Sequence, residues 1–409
     1  MTSRTHRIPG LVLTEHELEV PLDHDDPQSP PLTLFARVVA DADGGADKPC
    51  LLFLQGGPGH EATRPTGAPV SPGWLARALQ DFRVVLLDQR GTGRSSPVGA
   101  DLPGTPQEQA TYLTHFRADA IVRDAELLRE HLGVRRWGLL GQSFGGLCAM
   151  TYLSTAPDAL DLVLITGGLA PLGHHPDELY AATFARMLDR SRAYYDRYPE
   201  DRERVRALQQ DPPTLPSGDV LTPRRLRQVG ERLGMGDGAE SLHHLLELPP
   251  GSPAFLHDLD AALPFARNPI YAVLHEACMA DGHATRWSAQ RVLPDVYAEE
   301  PELFTGEHIF PWMFDEYAAL APLKAAAELL AEHPWPRLYD EDALAANEVP
   351  AAAAIYANDA YVERRFSEET AARIKGLRPW LTSEFEHNGL RADGERVLGH
   401  LLDLARGRA

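Results

Sequence analysis

The stretch Trp137-Gly-Leu-Leu-Gly-Gln-Ser-Phe-Gly-Gly-Leu-Cys148 decides the fold. Trp137 to Leu140 has strand character and Phe144 to Thr155 suits a helix, so Gly141-Gln-Ser-Phe-Gly145 falls at a strand-to-helix corner. Glycines on either side of Ser143 permit a strained turn that a Cβ would obstruct. A serine placed there projects its hydroxyl clear of the backbone. The helix start beyond it offers N–H donors and a favourable dipole to an oxyanion. A bare G-x-S-x-G string is more often a turn with an incidental serine; the strand before it and the helix after it reverse those odds.

Working outward, the neighbouring segments alternate between strand and helix. Pro49 to Leu54 is an apolar run that stops at Gly56, Gly57 and Gly59, and Arg83 to Asp88 is a second run followed by a glycine-bearing loop. Ala118 to Leu132 has apolar residues at helical spacing and finishes at Gly133, and Leu160 to Ile165 returns to strand. Such alternation predicts a mostly parallel sheet with helices on both faces. From about Pro171 to Asp342 the pattern turns to long charged and aromatic helical segments, Glu178 to Tyr198 among them. Strand character resumes at Val349 to Tyr356 and at Trp380 to Ser383, before a terminal helix near Gly394 to Leu404. The expected organisation is an α/β core over 1–170 and 343–409 with a helical cap inserted over 171–342. The residues before Pro49 read as a polar opening with Pro-rich turns.

A chain of 409 residues can carry such an insertion, and 44% hydrophobic with 24% charged residues is an ordinary globular balance. Asp plus Glu number 59 against 39 Lys plus Arg, a net charge of −20, which argues against a phosphate-neutralising nucleic-acid face and against anionic lipid. A solvated acidic surface is the plain account of that excess. Cys50, Cys148 and Cys278 stand at no metal-ligand spacing and are expected to be free buried thiols. With no apolar stretch of membrane-spanning length and no secretory leader, a cytoplasmic location is the default.

A serine hydroxyl needs a base, and a histidine serves best when a carboxylate fixes its tautomer. In this kind of fold the acid and then the histidine follow the serine in chain order. Asp359 lies just beyond one late strand and His387 just beyond the next, 28 residues on, which leaves room for a helix and a strand between them. Either alone would pass as a hydrogen-bonded turn residue; order and placement at strand ends select them. His400, on the terminal helix, suits a surface role. Gln55-Gly-Gly-Pro-Gly59 ends the first core strand, where main-chain N–H groups of Gly56 and Gly57 would join that of Phe144 as oxyanion donors. The Asp88 to Ser95 block precedes the serine and suits structural Arg–Asp pairing better than catalysis.

Taken together, Gln55-Gly-Gly-Pro-Gly59, Asp88-Gln-Arg-Gly-Thr-Gly-Arg-Ser95, Gly141-Gln-Ser-Phe-Gly-Gly146, Asn358-Asp359 and Glu386-His-Asn-Gly-Leu390 resemble the proline iminopeptidases, α/β-hydrolases also called prolyl aminopeptidases. The likeness runs from about Lys48 to Leu404 and is to the longer branch; the shorter branch usually has histidine where this chain has Gln55. The resemblance implies an α/β-hydrolase fold, release of N-terminal proline from small peptides, and Ser143, Asp359 and His387 as nucleophile, acid and base. No metal or organic cofactor is expected, because such a triad supplies nucleophile and base itself. An exopeptidase must also pair the cationic amino terminus with an acid. Glu276 and Glu307 sit in aromatic company and are the candidates, although in a chain with 59 acids an exposed position explains each about as well. Phe310 and Trp312, with Phe314 nearby, could wall a pyrrolidine pocket or simply pack in a core. A carboxylesterase on the same scaffold and a catalytically silent binding protein remain alternatives. The oligomeric state is open.

Overall fold

The computed structural model describes residues 2–409. Nine strands form one sheet: β1 (Thr2–Ile8), β2 (Leu11–Pro21), β3 (Pro31–Asp41), β4 (Cys50–Leu54), β5 (Arg83–Asp88), β6 (Trp137–Gln142), β7 (Leu160–Thr166), β8 (Ala351–Tyr356) and β9 (Leu377–Thr382). Their spatial order is β1-β2-β3-β5-β4-β6-β7-β8-β9. From β5 to β9 every neighbouring pair is parallel. The central strands are buried on both faces, and β4 and β8 expose no residue. Continuous apolar runs such as Cys50-Leu-Leu-Phe-Leu54 are the sequence form of a strand covered on both sides.

The helices Gly73–Asp81 and Gly394–Ala405 cover one face through Trp74, Leu75, Val397, Leu398 and Leu401. On the other face lie Ala118–His131 and Phe144–Thr155. The first of these turns Ile121, Val122, Ala125 and Leu128 inward, and Gly133 follows its end in the left-handed region, with φ +65°. The second is buried along its length except at Thr155, so it reads as a core helix without amphipathic alternation.

The opening of the chain departs from the sequence reading. Instead of a polar opening with Pro-rich turns, residues 2–41 form three antiparallel strands, with β3 antiparallel to β5. β1 lies at the exposed edge, β2 alternates at its end, with Leu18 and Val20 buried and Glu19 between them exposed, and β3 is buried from Leu34 to Ala40. In β1 and β2 the polar residues dominate the composition and hide the strand.

Between Thr166 and Ala351 the described residues contribute no strand to this sheet, and helices run from Pro176–Arg197 to Glu341–Ala345. Five of these helices begin with proline, at Pro176, Pro199, Pro223, Pro253 and Pro269, where the missing N–H costs nothing. Arginines fasten these helices to the elements around the sheet. Arg117, fully buried, donates to the carbonyls of Ala280 at 2.7 Å and Pro336 at 2.9 Å and packs on Trp335. Arg186 forms a two-pronged pair with Glu363 at 2.6 and 2.9 Å.

Alanine at Gly145 would put its Cβ 1.9 Å from the Leu54 carbonyl oxygen, whereas at Gly133 nothing lies within 4 Å and only the positive φ opposes it. Gly145→Ala is therefore expected to lower unfolding free energy by about 2–4 kcal/mol and Gly133→Ala by about 1 kcal/mol. Urea midpoints of the two variants check the order, and the reverse order contradicts it.

Candidate active site

The corner at the end of β6 has the form that its sequence requires. Ser143 lies at φ 55°, ψ −122°, between the last strand residue and the first helical one. A side chain at positive φ is costly, and here the surroundings hold it. The Ser143 N–H donates to the Thr166 carbonyl on the adjacent strand at 2.9 Å, and its own carbonyl accepts from the Gly146 N–H at 2.7 Å. A Cβ at Gly141 would lie 2.3 Å from the Gly145 carbonyl oxygen, so both flanking positions are restricted to glycine by close approach.

Two late loops carry the partner groups. Asp359, beyond β8, is buried and accepts from the N–H groups of Tyr361 at 2.9 Å and Val362 at 3.0 Å through Oδ1. Its Oδ2 lies 2.7 Å from His387 Nδ1. With both carboxylate oxygens engaged, the acid is fixed in the plane that orients the ring. The Tyr361 ring packs edge-on against the imidazole at 4.8 Å, and the His387 N–H donates to the Gly234 carbonyl at 3.2 Å. Ser143 and His387 meet around Gly167: a Cβ there would sit 3.3 Å from Ser143 N and 3.0 Å from His387 Cε1.

Ser143 and His387 line one cleft of about 440 Å³, together with Gly56, Gly57, Tyr271, Glu231 and Glu307. Gly56 closes against the corner; a Cβ on it would meet the Gln142 carbonyl oxygen at 3.1 Å and the Ser143 Cβ at 3.2 Å. The loop after β4 and the first N–H of the helix at Phe144 thus converge beside the serine, the arrangement an oxyanion needs. The Asp88 to Ser95 block is structural in its contacts. Asp88 takes both prongs of Arg64 at 2.8 and 2.7 Å, Arg90 grips buried Asp124 at 2.7 and 2.6 Å, and Ser95 donates to the Asp88 carbonyl at 2.6 Å.

Of the two glutamates expected to receive an amino terminus, the cleft contains Glu307 and not Glu276. On the helix Pro269–Cys278, Tyr271 faces the cleft, and Glu276, five residues on, is turned about 140° away. Its carboxylate accepts from the N–H groups of Ser288 at 3.1 Å and Ala289 at 2.9 Å. Phe310 and Trp312 are likewise outside the cleft. They stack on each other at 5.6 Å; Phe310 is buried beside Phe184, and Arg224 covers Trp312. Phe314 packs against Trp287.

The acid that sequence reasoning missed is Glu231, in the short helical turn Val229–Gly234. Gly230 and Gly234 bracket it because Cβ atoms there would meet Phe304 at 2.1 Å and Tyr361 at 2.2 Å, a spacing that hints at tight packing but not at its target. The two cleft acids titrate apart. Burial, then the charge of Glu307, raises Glu231 above the ordinary carboxylate range. Burial works against ionisation of Glu307 too, but His275, His387 and Tyr271 outweigh it and hold Glu307 below that range. Burial by itself would depress His387; the charge and hydrogen bond of Asp359, with smaller contributions from Glu307 and Glu231, raise it above the usual histidine value.

Cys50, Cys148 and Cys278 are free and buried, and burial pushes all three thiols up, so none is poised as a nucleophile. Among the described residues no group of three His, Cys, Asp or Glu side chains could hold a metal ion, and no helix is long and apolar enough to cross a membrane.

A parallel sheet carrying a serine on a strained strand-to-helix corner, with histidine and aspartate on following loops, defines a serine hydrolase of the α/β-hydrolase class. The family profile described as "alpha/beta hydrolase fold" matches residues 49–211. The chain is 47% identical to a proline iminopeptidase of Aeromonas sobria over 99% of its own length and all of that protein's, and 35% identical to the proline iminopeptidase AneH of Aspergillus aculeatus over 99% and 96%. Among solved structures it aligns with a proline iminopeptidase-related protein of Thermus thermophilus at 19% identity and a TM-score of 0.43, over 97% of this chain and 99% of that one. The chain belongs to the proline iminopeptidase family.

The raised His387 gives a pH prediction. A histidine ring accepts a proton only when neutral, so any assistance it gives Ser143 is complete above its raised value and fades as pH falls through it. The rate at which an uncharged fluorophosphonate modifies Ser143 should fall with a midpoint above about 6.5, the ordinary histidine value. Glu307→Gln, which removes one negative charge facing the ring, should move that midpoint down; an unchanged or higher midpoint contradicts the electrostatic account.

Proposed function

We propose that the protein is an exopeptidase that releases proline from the amino terminus of small peptides through a covalent prolyl-enzyme, with Ser143, His387 and Asp359 as its triad. The observation that carries this reading is the pair of acids, Glu231 and Glu307, in the cleft that holds Ser143 and His387. A general esterase has no use for half-buried carboxylates there, whereas a free amino terminus is a cation that needs one.

In this reading the proline ammonium lies against Glu307, with Glu231 beside it, and the proline carbonyl carbon faces Ser143. His387 Nε2 takes the hydroxyl proton as Ser143 Oγ adds to that carbon, and Asp359 keeps the opposite ring nitrogen protonated and steadies the imidazolium. The N–H groups of Phe144 and of the Gly56-Gly57 loop stabilise the oxyanion. Collapse breaks the carbon–nitrogen bond, and His387 returns its proton to the departing amine. A water molecule, deprotonated by the same ring, then attacks the prolyl ester and frees proline and Ser143. Residues 171–342 act as a cap that brings both acids to a nucleophile held by 1–170 and 343–409. A cytoplasmic setting belongs to the same reading, which suits three buried, unpaired thiols.

Turnover of proline anilide beside a short acyl ester tests the assignment. Wild type should cleave the anilide, and Ser143→Ala should lose roughly 10⁴-fold or more in kcat. Glu307→Gln should raise KM by about 10–100-fold, the worth of a charge-assisted hydrogen bond. Vigorous ester cleavage with no anilide cleavage would assign the chain to the carboxylesterases instead.

A further inference from the structure

His275 has no place in the chemistry described above, yet its surroundings are unusual for a core histidine. It sits one turn beyond Tyr271 on the helix Pro269–Cys278 and is only 2% exposed. Its Nδ1 lies 3.1 Å from the Tyr180 hydroxyl. Its Nε2 is buried with no hydrogen-bond partner among the described residues. That orphan nitrogen points at Glu307, whose Oε2 is 3.9 Å away. Both side chains line a void of about 30 Å³ behind the cleft, enough for one bridging water. An unpaired polar nitrogen inside a core costs about 1–3 kcal/mol, so a site that retains one aimed at a carboxylate calls for a reason.

The packing supplies one. Glu307 reaches two spaces: the cleft with Ser143 and the smaller void with His275. Its neighbour His308 is occupied elsewhere, with Nε2 3.0 Å from the Thr183 hydroxyl and Nδ1 accepting from the Gly306 N–H at 3.0 Å, so it is no substitute partner. The Tyr271 hydroxyl faces the same acid from the cleft side.

We infer that His275 is a positioning residue for the ammonium subsite: backed by Tyr180, it turns an N–H toward Glu307 and holds that carboxylate, charged and correctly aimed, against the substrate amino terminus. The cleft would then contain two histidine–carboxylate pairs with separate tasks. Asp359 serves His387 for chemistry, and His275 serves Glu307 for recognition. The inference rests on Glu307 being the counter-charge of the amino terminus.

The consequence is a separation of binding from chemistry. His275→Phe keeps the ring volume and removes the N–H; His275→Gln keeps a donor of similar reach. In the phenylalanine variant KM for proline anilide should rise at least 10-fold while kcat changes by less than 3-fold, and glutamine should recover part of the loss. At a pH well above the His387 midpoint, labelling of Ser143 by an uncharged fluorophosphonate should keep its wild-type rate, whereas protection of Ser143 by prolinamide should need at least 10-fold more ligand. Labelling that slows in proportion to anilide turnover would show a merely structural role and overturn the inference, as would unchanged KM and unchanged protection. If wild type itself fails to cleave the anilide, the proposed activity falls, and prolinamide protection still reads the His275 effect separately.

Discussion

The whole site depends on one backbone strain: Ser143 is held at positive φ where a strand becomes a helix. That conformation aims the hydroxyl into the cleft, leaves the first helical N–H groups beside it, and demands glycine at 141 and 145 because neighbouring backbone fills the space of a Cβ. The parallel sheet is what makes the strain affordable. The Ser143 N–H is tied to Thr166 on the next strand, and the following helix is buried nearly throughout. A corner so supported cannot relax without breaking the core.

The electrostatics of the cleft then divide the labour among like-charged groups. Asp359 has both oxygens engaged, one by backbone and one by His387, so it orients without being free to accept the proton itself. Glu307 and Glu231 share a cleft and titrate apart: burial, then the charge of Glu307, raises Glu231, while His275, His387 and Tyr271 hold Glu307 below the ordinary range. Both acids also act on His387, raising it further, so the charge state of the cleft bears on the basicity of the ring.

Sequence legibility followed the range of the interactions involved. Strands and helices near the core were readable because their patterns are local: Arg83–Asp88 and Phe144–Thr155 have the limits that the apolar runs and glycines announce. The triad residues were selected by strand ends and chain order, both features of one dimension. Glu231 was not readable, because what brings it beside His387 is the packing of residues 230–234 on Tyr361 and on the His387 backbone, far apart in the chain. Glu276, Phe310 and Trp312 show the converse. Aromatic company marks burial, but a helix turned by one or two residues decides which cavity a side chain enters, and composition carries no direction. The first two strands, β1 and β2, were lost because strands exposed to solvent look polar on average.

The central claim is that the oxygen of Ser143 becomes the acyl carrier. Acid quenching during turnover of a proline ester, followed by intact-mass measurement and peptide mapping, reads this directly. The account predicts one prolyl group, attached within the peptide that contains Gly141 to Gly145, and none in Ser143→Ala. A prolyl group on any other peptide, or turnover by the alanine variant at the wild-type rate, would contradict it.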